Sequence, residues 1–410
     1  MTERITPLGR WKGLDRVLLL ATLLLVAVGL VLIYSADHAF EDSDHFEKQV
    51  FFAAIGTALM LAAAFIPTRY YFALAFIVYG IALLFLILVP IIGTTVLGAK
   101  RWITIAGVNL QPSEPAKAAY LIAASRFLSG VRSDQSELRA VFGVVLGAIG
   151  PLFLVVSQPD LGTSSLFPVI GAALLAWWGL PLWYYILAAM PFVALFFFAL
   201  PWLVAPLLLA GFWWMYRAGM KWVGMGLLAA VCMTAIFSAP HAWSRLEPYQ
   251  QRRLTTFLDP MKDQLGAGYQ IIQSKVALGS GGFTGAGFLK GTQTQLRFLP
   301  QQHTDFIFSL AGEEFGILGT STVLVLLIIY GWRGIRIASR ARSQFAGLVA
   351  GGLTTMIVYH AVVNIGMTMG VLPVTGIPLP FISAGGSFLI TCLFNTGLLL
   401  SIVIPIFTTA

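Results

Sequence analysis

The sequence predicts an all-α, polytopic integral membrane protein: a bundle of about twelve transmembrane helices with one large loop on its outer face. Three observations carry this. Of the 410 residues, 58% are hydrophobic and only 10% charged. The mean hydropathy is +0.85. The apolar residues fall in runs of about 14 to 27, most of them long enough for roughly 30 Å of hydrocarbon, between short polar or Gly/Pro stretches. Such a chain has too little polar surface to stay in water, which excludes a soluble domain together with disordered and collagen-like chains. Cys232 and Cys392 are its only cysteines and both sit inside apolar runs, so a disulfide scaffold is excluded and both thiols read as packing residues.

The first span, Val17 to Ser35, follows Arg4, Arg10, Lys12 and Arg16. It is longer than a signal-peptide core and lacks a small-residue cleavage site, so it reads as a retained anchor. Next come Val50 to Ile66, Phe72 to Pro90, Pro115 to Leu128, Val141 to Ser157 and Ser164 to Gly179. Three runs crowd into residues 180–240: Trp183 to Leu200, Trp202 to Tyr216 and Trp222 to Pro240. Pro201 and Pro206 leave open one long kinked helix in place of the first two. Phe306 to Trp332, Phe345 to Met369 and Ser387 to Phe407 complete a single membrane domain over residues 1–410.

Lys and Arg resist translocation in short loops, which predicts cytoplasmic termini. Arg69, the trio Arg126, Arg132 and Arg139, the pair Arg217 and Lys221, and the cluster Arg333, Arg336, Arg340 and Arg342 then lie inside. Glu41, Asp42, Asp44 and Glu47 lie outside.

The longest polar segment, residues 241–305, becomes an outer loop, and a loop of about 65 residues among tight turns is usually functional or disordered. Tyr269, Ile271, Ile272, Val276 and Leu278 argue against disorder and place Gly268 to Leu278 at the membrane surface or re-entering it. The loop carries Glu247, Asp259, Asp263 and Asp305. Its Arg252, Arg253, Lys262, Lys275, Lys290 and Arg297 suit lipid phosphates or, equally, a solvated surface. The glycine run Gly279-Ser280-Gly281-Gly282-Phe283-Thr284-Gly285 has Thr284 at the third glycine's place and no preceding strand, so nucleotide binding is not supported; no nucleic-acid partner is expected. Its glycines suit tight turns or the close approach of a ligand. His303 has no second ligand at metal spacing.

Ionisable groups at the ends of apolar spans are costly to desolvate, and each is a functional candidate. They are Lys100 and Arg101 before Trp102; Glu114 and Lys117 after Gln111-Pro112-Ser113; Asp160; Asp305; and Glu313 with Glu314. By the topology above all face the outer half of the membrane, which predicts a shared outward cavity. Glu114 and Lys117 also suit a structural ion pair, Ser113 an N-cap, and Asp160 a cap for the helix after it. Asp305 stands at a polar-to-apolar border before Phe306, Ile307 and Phe308, and a chemical role is favoured there over capping.

The chain resembles the SEDS family (shape, elongation, division and sporulation), and its rod-shape branch more than its division branch. The matching stretches are Gly98 to Trp102, Gln111 to Glu114 with Lys117, and Gln158 to Thr163. They continue with Gly268 to Gln270, Gln273, Ser274, Gly291 to Gln293, Leu299, Pro300, His303 to Phe308, Glu313, Glu314, Pro373 to Phe381, Ser383 and Gly385 to Ser387. The resemblance implies a peptidoglycan glycosyltransferase in the bacterial cytoplasmic membrane that polymerises lipid II, with a class B penicillin-binding protein as crosslinking partner. It implies a core of about ten spans, to which residues 180–240 add about two. It puts the essential aspartate at Asp305 rather than Asp259 or Asp263, and implies substrate-binding or cavity roles for Glu114, Lys117, Asp160, Arg101, Lys290, Gln293 and Glu314.

An α-linked lipid diphosphate donor and a β-1,4 product mean inversion, hence one displacement assisted by a general base, for which Asp305 is the candidate. The departing diphosphate gathers charge that Arg101, Lys117, Lys290 or a divalent cation could stabilise; no other cofactor is implied. Two other classes suit a multispan chain, a lipid flippase and a non-catalytic scaffold of a wall-synthesis complex. The outward clustering of ionisable residues weighs against both.

Overall fold

The structure, a computed structural model, describes residues 13–38, 44–96, 99–105, 108–131, 137–195, 197, 200–217, 219–220, 222–245, 251, 267–296, 298–299 and 301–404. Arg4, Arg10, Lys12, Glu41, Asp42, Gly98, Arg132, Lys221, Glu247, Arg252, Arg253, Asp259, Lys262, Asp263, Arg297 and Pro300 lie outside the described residues.

Each apolar run of the sequence forms helix. In chain order these are α1 (Arg16–His38), α2 (His45–Phe65) and α3 (Thr68–Ile92), then α4 (Ser113–Ser129), α5 (Glu137–Val156), the short α6 (Leu161–Ser164) and α7 (Leu166–Trp178). They continue as α8 (Leu182–Ala194), α9 (Pro201–Arg217) and α10 (Trp222–Ser244). The last five are α11 (Ala267–Ser280), the short α12 (Thr292–Gln295), α13 (Ile307–Ser339), α14 (Gln344–Thr368) and α15 (Gly386–Val403). Among the described residues, 9 helices are long and apolar enough to cross a membrane, α6 and α7 counting as one. The 17-residue α4 and α9 and the 13-residue α8 are shorter.

One element lies outside the helical reading. Between α3 and α4 the chain forms a three-stranded antiparallel sheet, β1 (Thr94–Val96), β2 (Ala99–Ile105) and β3 (Val108–Leu110), with Thr94 opposite Trp102 and Ile103 opposite Leu110. Thr94, Thr95, Val96, Ile103, Thr104 and Ile105 are β-branched, which suits a pleated surface. The run is too short to announce itself against the flanking helical periodicity.

The chain divides into two compact units, Gly179–Leu258 and the remainder. In the smaller unit α8, α9 and α10 share a core of Met190, Ala194, Val204, Leu208, Met215, Leu228, Cys232 and Ile236. Here α8 and α9 are separate helices, with Pro201 opening α9 and Pro206 inside it. Proline is tolerated in the first turn, where its missing N–H costs nothing.

In the larger unit α14 and α15 are central, with 72% of their spanning windows buried, and α3 is peripheral at 17%. Small residues let the helices approach closely, the usual device where lipid and side chains are equally apolar. A Cβ at Gly397 would overlap the Met60 carbonyl of α2, and one at Gly334 would overlap the Thr354 hydroxyl of α14. Asp15 caps α1 through the Leu18 amide (3.0 Å) and takes Arg333 of α13 on both oxygens, with Nε to Oδ1 at 3.1 Å and to Oδ2 at 2.9 Å.

Helix α13 is broken at Gly316, where φ is 62° and ψ −154°. A break inside a membrane frees backbone groups that lipid cannot satisfy. The glycine run supplies the partners: Ala286 and Gly287 N–H donate to the carbonyls of Glu313 (2.9 Å) and Glu314 (3.0 Å), and the Ile317 N–H donates to the Gly282 carbonyl (3.0 Å). Side chains would prevent this, since a Cβ at Gly281 would overlap the Gly312 carbonyl and one at Gly285 that of Glu314. The glycines thus serve backbone-to-backbone approach. Gly285→Ala, at φ +83°, is expected to cost more than about 2 kcal/mol and to lower the thermal midpoint in detergent. Gly226→Ala, where a Cβ meets nothing within 4 Å, is expected to leave it unchanged or slightly raised.

Candidate functional site

Helix α4 opens with Pro112 in the N-cap place and no side-chain cap, so Ser113 is the first helical residue rather than the cap its type suggests. One turn on, Lys117 and Glu114 face the same way at a spacing of three. The Lys117 ammonium lies 2.9 Å from both Glu114 oxygens, and the two residues are 1% and 3% exposed. Its third neighbour is Nε2 of His360 on α14, at 3.3 Å. The ring of Phe388 on α15 lies 5.8 Å from the same nitrogen and 4.9 Å from the imidazole. A buried cation is tolerated only when paired and hydrogen-bonded, and three helices converge here to provide that.

Asp160 caps α6, one oxygen accepting the Thr163 N–H at 3.1 Å. Its other oxygen accepts Gln111 Nε2 at 3.1 Å and lies 4.0 Å from an Arg101 nitrogen. Arg101, on β2, also donates to the carbonyls of Gln158 (3.0 Å) and Pro159. Its side chain keeps 32% exposure. The sheet thus carries a partly solvated guanidinium to the mouth of the Gln158–Thr163 turn.

Asp305 sits in the turn before α13, half-buried. Three successive carbonyls of this turn are held from elsewhere: His303 O by Ala384 N–H (2.9 Å), Thr304 O by the Ser383 hydroxyl (2.6 Å) and Asp305 O by the Asn364 amide (3.1 Å). Asn364 also donates to Ile377 O at 2.8 Å. Gln49 of α2 holds the Ser383 carbonyl and the Gly385 amide, both at 3.1 Å. Beside the carboxylate runs Gly376 at φ +71°, where a Cβ would lie 3.6 Å from Asp305 Oδ2. On its other side this segment reaches α6, since a Cβ at Gly162 would sit 2.6 Å from Thr375 O. The segment Pro373 to Phe381 therefore lies between the Asp160 turn and the Asp305 turn. His360 and Asn364, one turn apart on α14, join the Lys117 cluster to the same place.

The remaining candidates do not join this group. Glu313 accepts the amides of Gln293 (2.6 Å) and Thr294 (3.1 Å) and the Thr294 hydroxyl (2.7 Å), so it holds down α12. Glu314 is fully buried and accepts Ser35 of α1 at 2.5 Å. Both carboxylates flank the break in α13 and are occupied in packing it, and Gln293 enters through its backbone N–H. Lys290 is exposed beside Gly287. Sequence reasoning passed over His360, Asn364, Gln49 and Ser35. The signal was available for the first two, a His and an Asn at helical spacing within an apolar span. Among the described residues no three His, Cys, Asp or Glu side chains are grouped to hold a metal ion.

His303 stacks against His45 with ring centroids 4.1 Å apart, and His45 lies 3.3 Å from Asp37. Burial, with the neighbouring His45, pushes the His303 pKa down to about 4, Asp37 partly opposing.

A family model described as cell cycle protein, for FtsW, RodA and SpoVE, matches residues 15–206 and 203–405. The peptidoglycan glycosyltransferase MrdB of Escherichia coli K12 is 37% identical over 390 residues, covering 95% of this chain and 93% of that one. A solved chain from a peptidoglycan synthase complex that coordinates polymerization and crosslinking superposes with a TM-score of 0.70 at 29% identity, covering 95% of this chain and 97% of that one. The rod shape determining protein RodA of Thermus thermophilus gives 0.62 at 25% identity, with 96% and 97% covered.

Removing one member of the Lys117–Glu114 pair is expected to be worse than removing both. Lys117→Met or Glu114→Gln should each destabilise by about 3–5 kcal/mol, while the double variant should lose less than the sum of the two, a double-mutant cycle of thermal or denaturant midpoints being the measurement. A second expectation concerns acid. The unfolded chain binds the His303 proton near pH 6.5 and the fold only near 4, so this contribution to stability is intact above 6.5 and falls as the pH drops toward 4. Thermal midpoints of the wild type should decline across that window, and those of His303→Gln should decline less.

Proposed function

Because this chain belongs to the cell cycle protein family of FtsW, RodA and SpoVE and is a peptidoglycan glycosyltransferase, we propose that it polymerises lipid II into β-1,4 glycan strands at the outer face of the cytoplasmic membrane, for cell elongation and shape. The observation that carries this reading is the Asp305 turn, a partly exposed carboxylate at the head of a membrane helix whose backbone is pinned at three successive carbonyls. A base must be held within hydrogen-bond reach of the proton it takes, and such anchoring supplies rigidity that a loop alone would lack.

In the reaction the 4-hydroxyl of an acceptor N-acetylglucosamine attacks the anomeric carbon of a donor N-acetylmuramic acid. The new C1–O4 bond forms as the bond from C1 to the lipid diphosphate breaks, and the hydroxyl proton passes to Asp305. One displacement inverts the α-linked donor to a β product. Arg101 is better placed than Lys117 to meet the diphosphate charge, because its guanidinium keeps 32% exposure while the Lys117 ammonium has 1% and is already shared between Glu114 and His360. Lys117 serves to hold α4 against α14. An apolar cavity of 490 Å³ among α2, α3, α4 and α15, walled by Leu59, Tyr71, Leu74, Val78 and Phe394, suits the polyprenyl tail.

The arginines Arg69, Arg126, Arg333, Arg336, Arg340 and Arg342 support cytoplasmic termini, a reading in which the sheet, Asp160 and Asp305 face outward. A crosslinking partner of the class B penicillin-binding type is part of the reading, supported by the solved relative taken from a complex that couples the two activities.

The test is a product assay with the full chain, with and without that partner, on lipid II. Asp305→Asn should lower glycan formation by about 100-fold or more while its thermal midpoint and partner binding stay near wild type. A ladder retained by the variant would remove Asp305 from the base role. Lipid II movement across vesicles without any polymer would instead make the chain a transporter.

A further inference from the structure

A second cavity of 530 Å³ opens at the opposite end of the bundle from Asp305, where α3 begins, α4 ends and α14 begins. Its charged lining is basic, Arg69 from the first turn of α3 and Arg126 from the last turn of α4, beside the neutral Thr68, Ser129, Ser343 and Gln344. Its apolar wall is Phe72, Phe76 and Phe345. The Arg126 guanidinium stands 4.8 Å from the Phe72 ring centre and 4.6 Å from that of Phe76, and one of its nitrogens donates to the Ala73 carbonyl at 2.9 Å. Arg69 lies over Tyr70 at 5.0 Å. Among the described residues neither guanidinium meets a carboxylate within ion-pair distance, and none of the cavity's lining residues is acidic.

Two guanidiniums without a counterion among the described residues, at the ends of membrane helices and above an aromatic wall, form an incomplete electrostatic arrangement. The planar fork of arginine matches the geometry of a phosphate, and the depth of helix ends is where headgroup phosphates lie. The phenylalanines suit glycerol and the first acyl methylenes, which inorganic phosphate would leave uncovered. We propose that this cavity binds the phosphate of an anionic glycerophospholipid from the leaflet on that side, which the distribution of arginines makes the cytoplasmic one. The inference rests on the chain being a membrane protein and is independent of its chemistry at Asp305.

Native mass spectrometry of the full chain in detergent tests it, with dioleoyl phosphatidylglycerol, dioleoyl phosphatidylcholine and inorganic phosphate as probes. The attraction of two basic side chains to an anionic lipid corresponds to a preference of about thirtyfold for phosphatidylglycerol over phosphatidylcholine. The wild type should show it, with a matching rise in thermal midpoint. Arg69→Gln with Arg126→Gln should reduce it to about twofold or less, and Arg69→Lys with Arg126→Lys should retain most of it. Gly130→Leu, which adds bulk at the cavity rim where a Cβ has ordinary contact room (3.5 Å to Phe127 O), should weaken lipid binding with both arginines present. This variant keeps the test decisive if the glutamine pair fails to fold. Undiminished preference in the glutamine pair or in Gly130→Leu overturns the proposal. Displacement of the lipid by millimolar phosphate, with phosphate alone raising the midpoint equally, replaces the lipid with a free anion and overturns it too.

Discussion

Burying the Lys117 ammonium is the constraint around which the larger unit is arranged. An ammonium without water must find its partners in the protein, and here they come from three helices: Glu114 on its own helix, His360 from α14 and the face of Phe388 from α15. Holding α14 at that distance fixes more than the lysine. Asn364, one turn along the same face, is thereby brought to the Asp305 turn and to the Ile377 carbonyl. A buried charge of this kind adds little net stability against an apolar core, but it penalises every arrangement that leaves it unpaired. Its effect is therefore on which packing is allowed.

The second constraint is the backbone's. Hydrocarbon offers no hydrogen bonds, so a break in a spanning helix is viable only where other protein completes it. At Gly316 the glycine run from Gly281 to Gly287 does so, and Glu313 and Glu314 on the edge of the break are bound to α12 and to Ser35. The break ties the glycine run to the N-terminal part of α13. The turn carrying the Asp305 carboxylate is held separately, by Asn364, Ser383 and Ala384.

The charges divide by solvent access. Lys117 is buried and paired with Glu114, whereas Arg101 is about one-third exposed and held by the carbonyls of Gln158 and Pro159. A displacement that releases a diphosphate needs cations able to meet the leaving group as its charge develops. Of Arg101 and Lys117, only the guanidinium lies outside a buried pair. At the other end of the bundle Arg69 and Arg126 line a second cavity against Phe72 and Phe76.

The sequence by itself determined the membrane class and the helical nature of its apolar runs, because hydrophobic length is a local property that hydrocarbon reads directly; of the about twelve crossings it predicted, 9 described helices have the length and composition to span. It also determined the Lys117–Glu114 pair, since a spacing of three on a helix makes the contact without help from the rest of the fold. The strands at Thr94–Leu110 escaped it, their alternation spanning too few residues to stand out. Only the tertiary structure decided that Glu313, Glu314 and Gln293 serve the broken helix while Asp160, Arg101 and Asp305 border one segment, because motif order does not say which polar groups will meet. His360, Asn364 and Gln49 belong with these: each acts on a residue more than 240 or on a turn more than 50 positions away in the chain. Contacts of that separation exist only once the helices have packed.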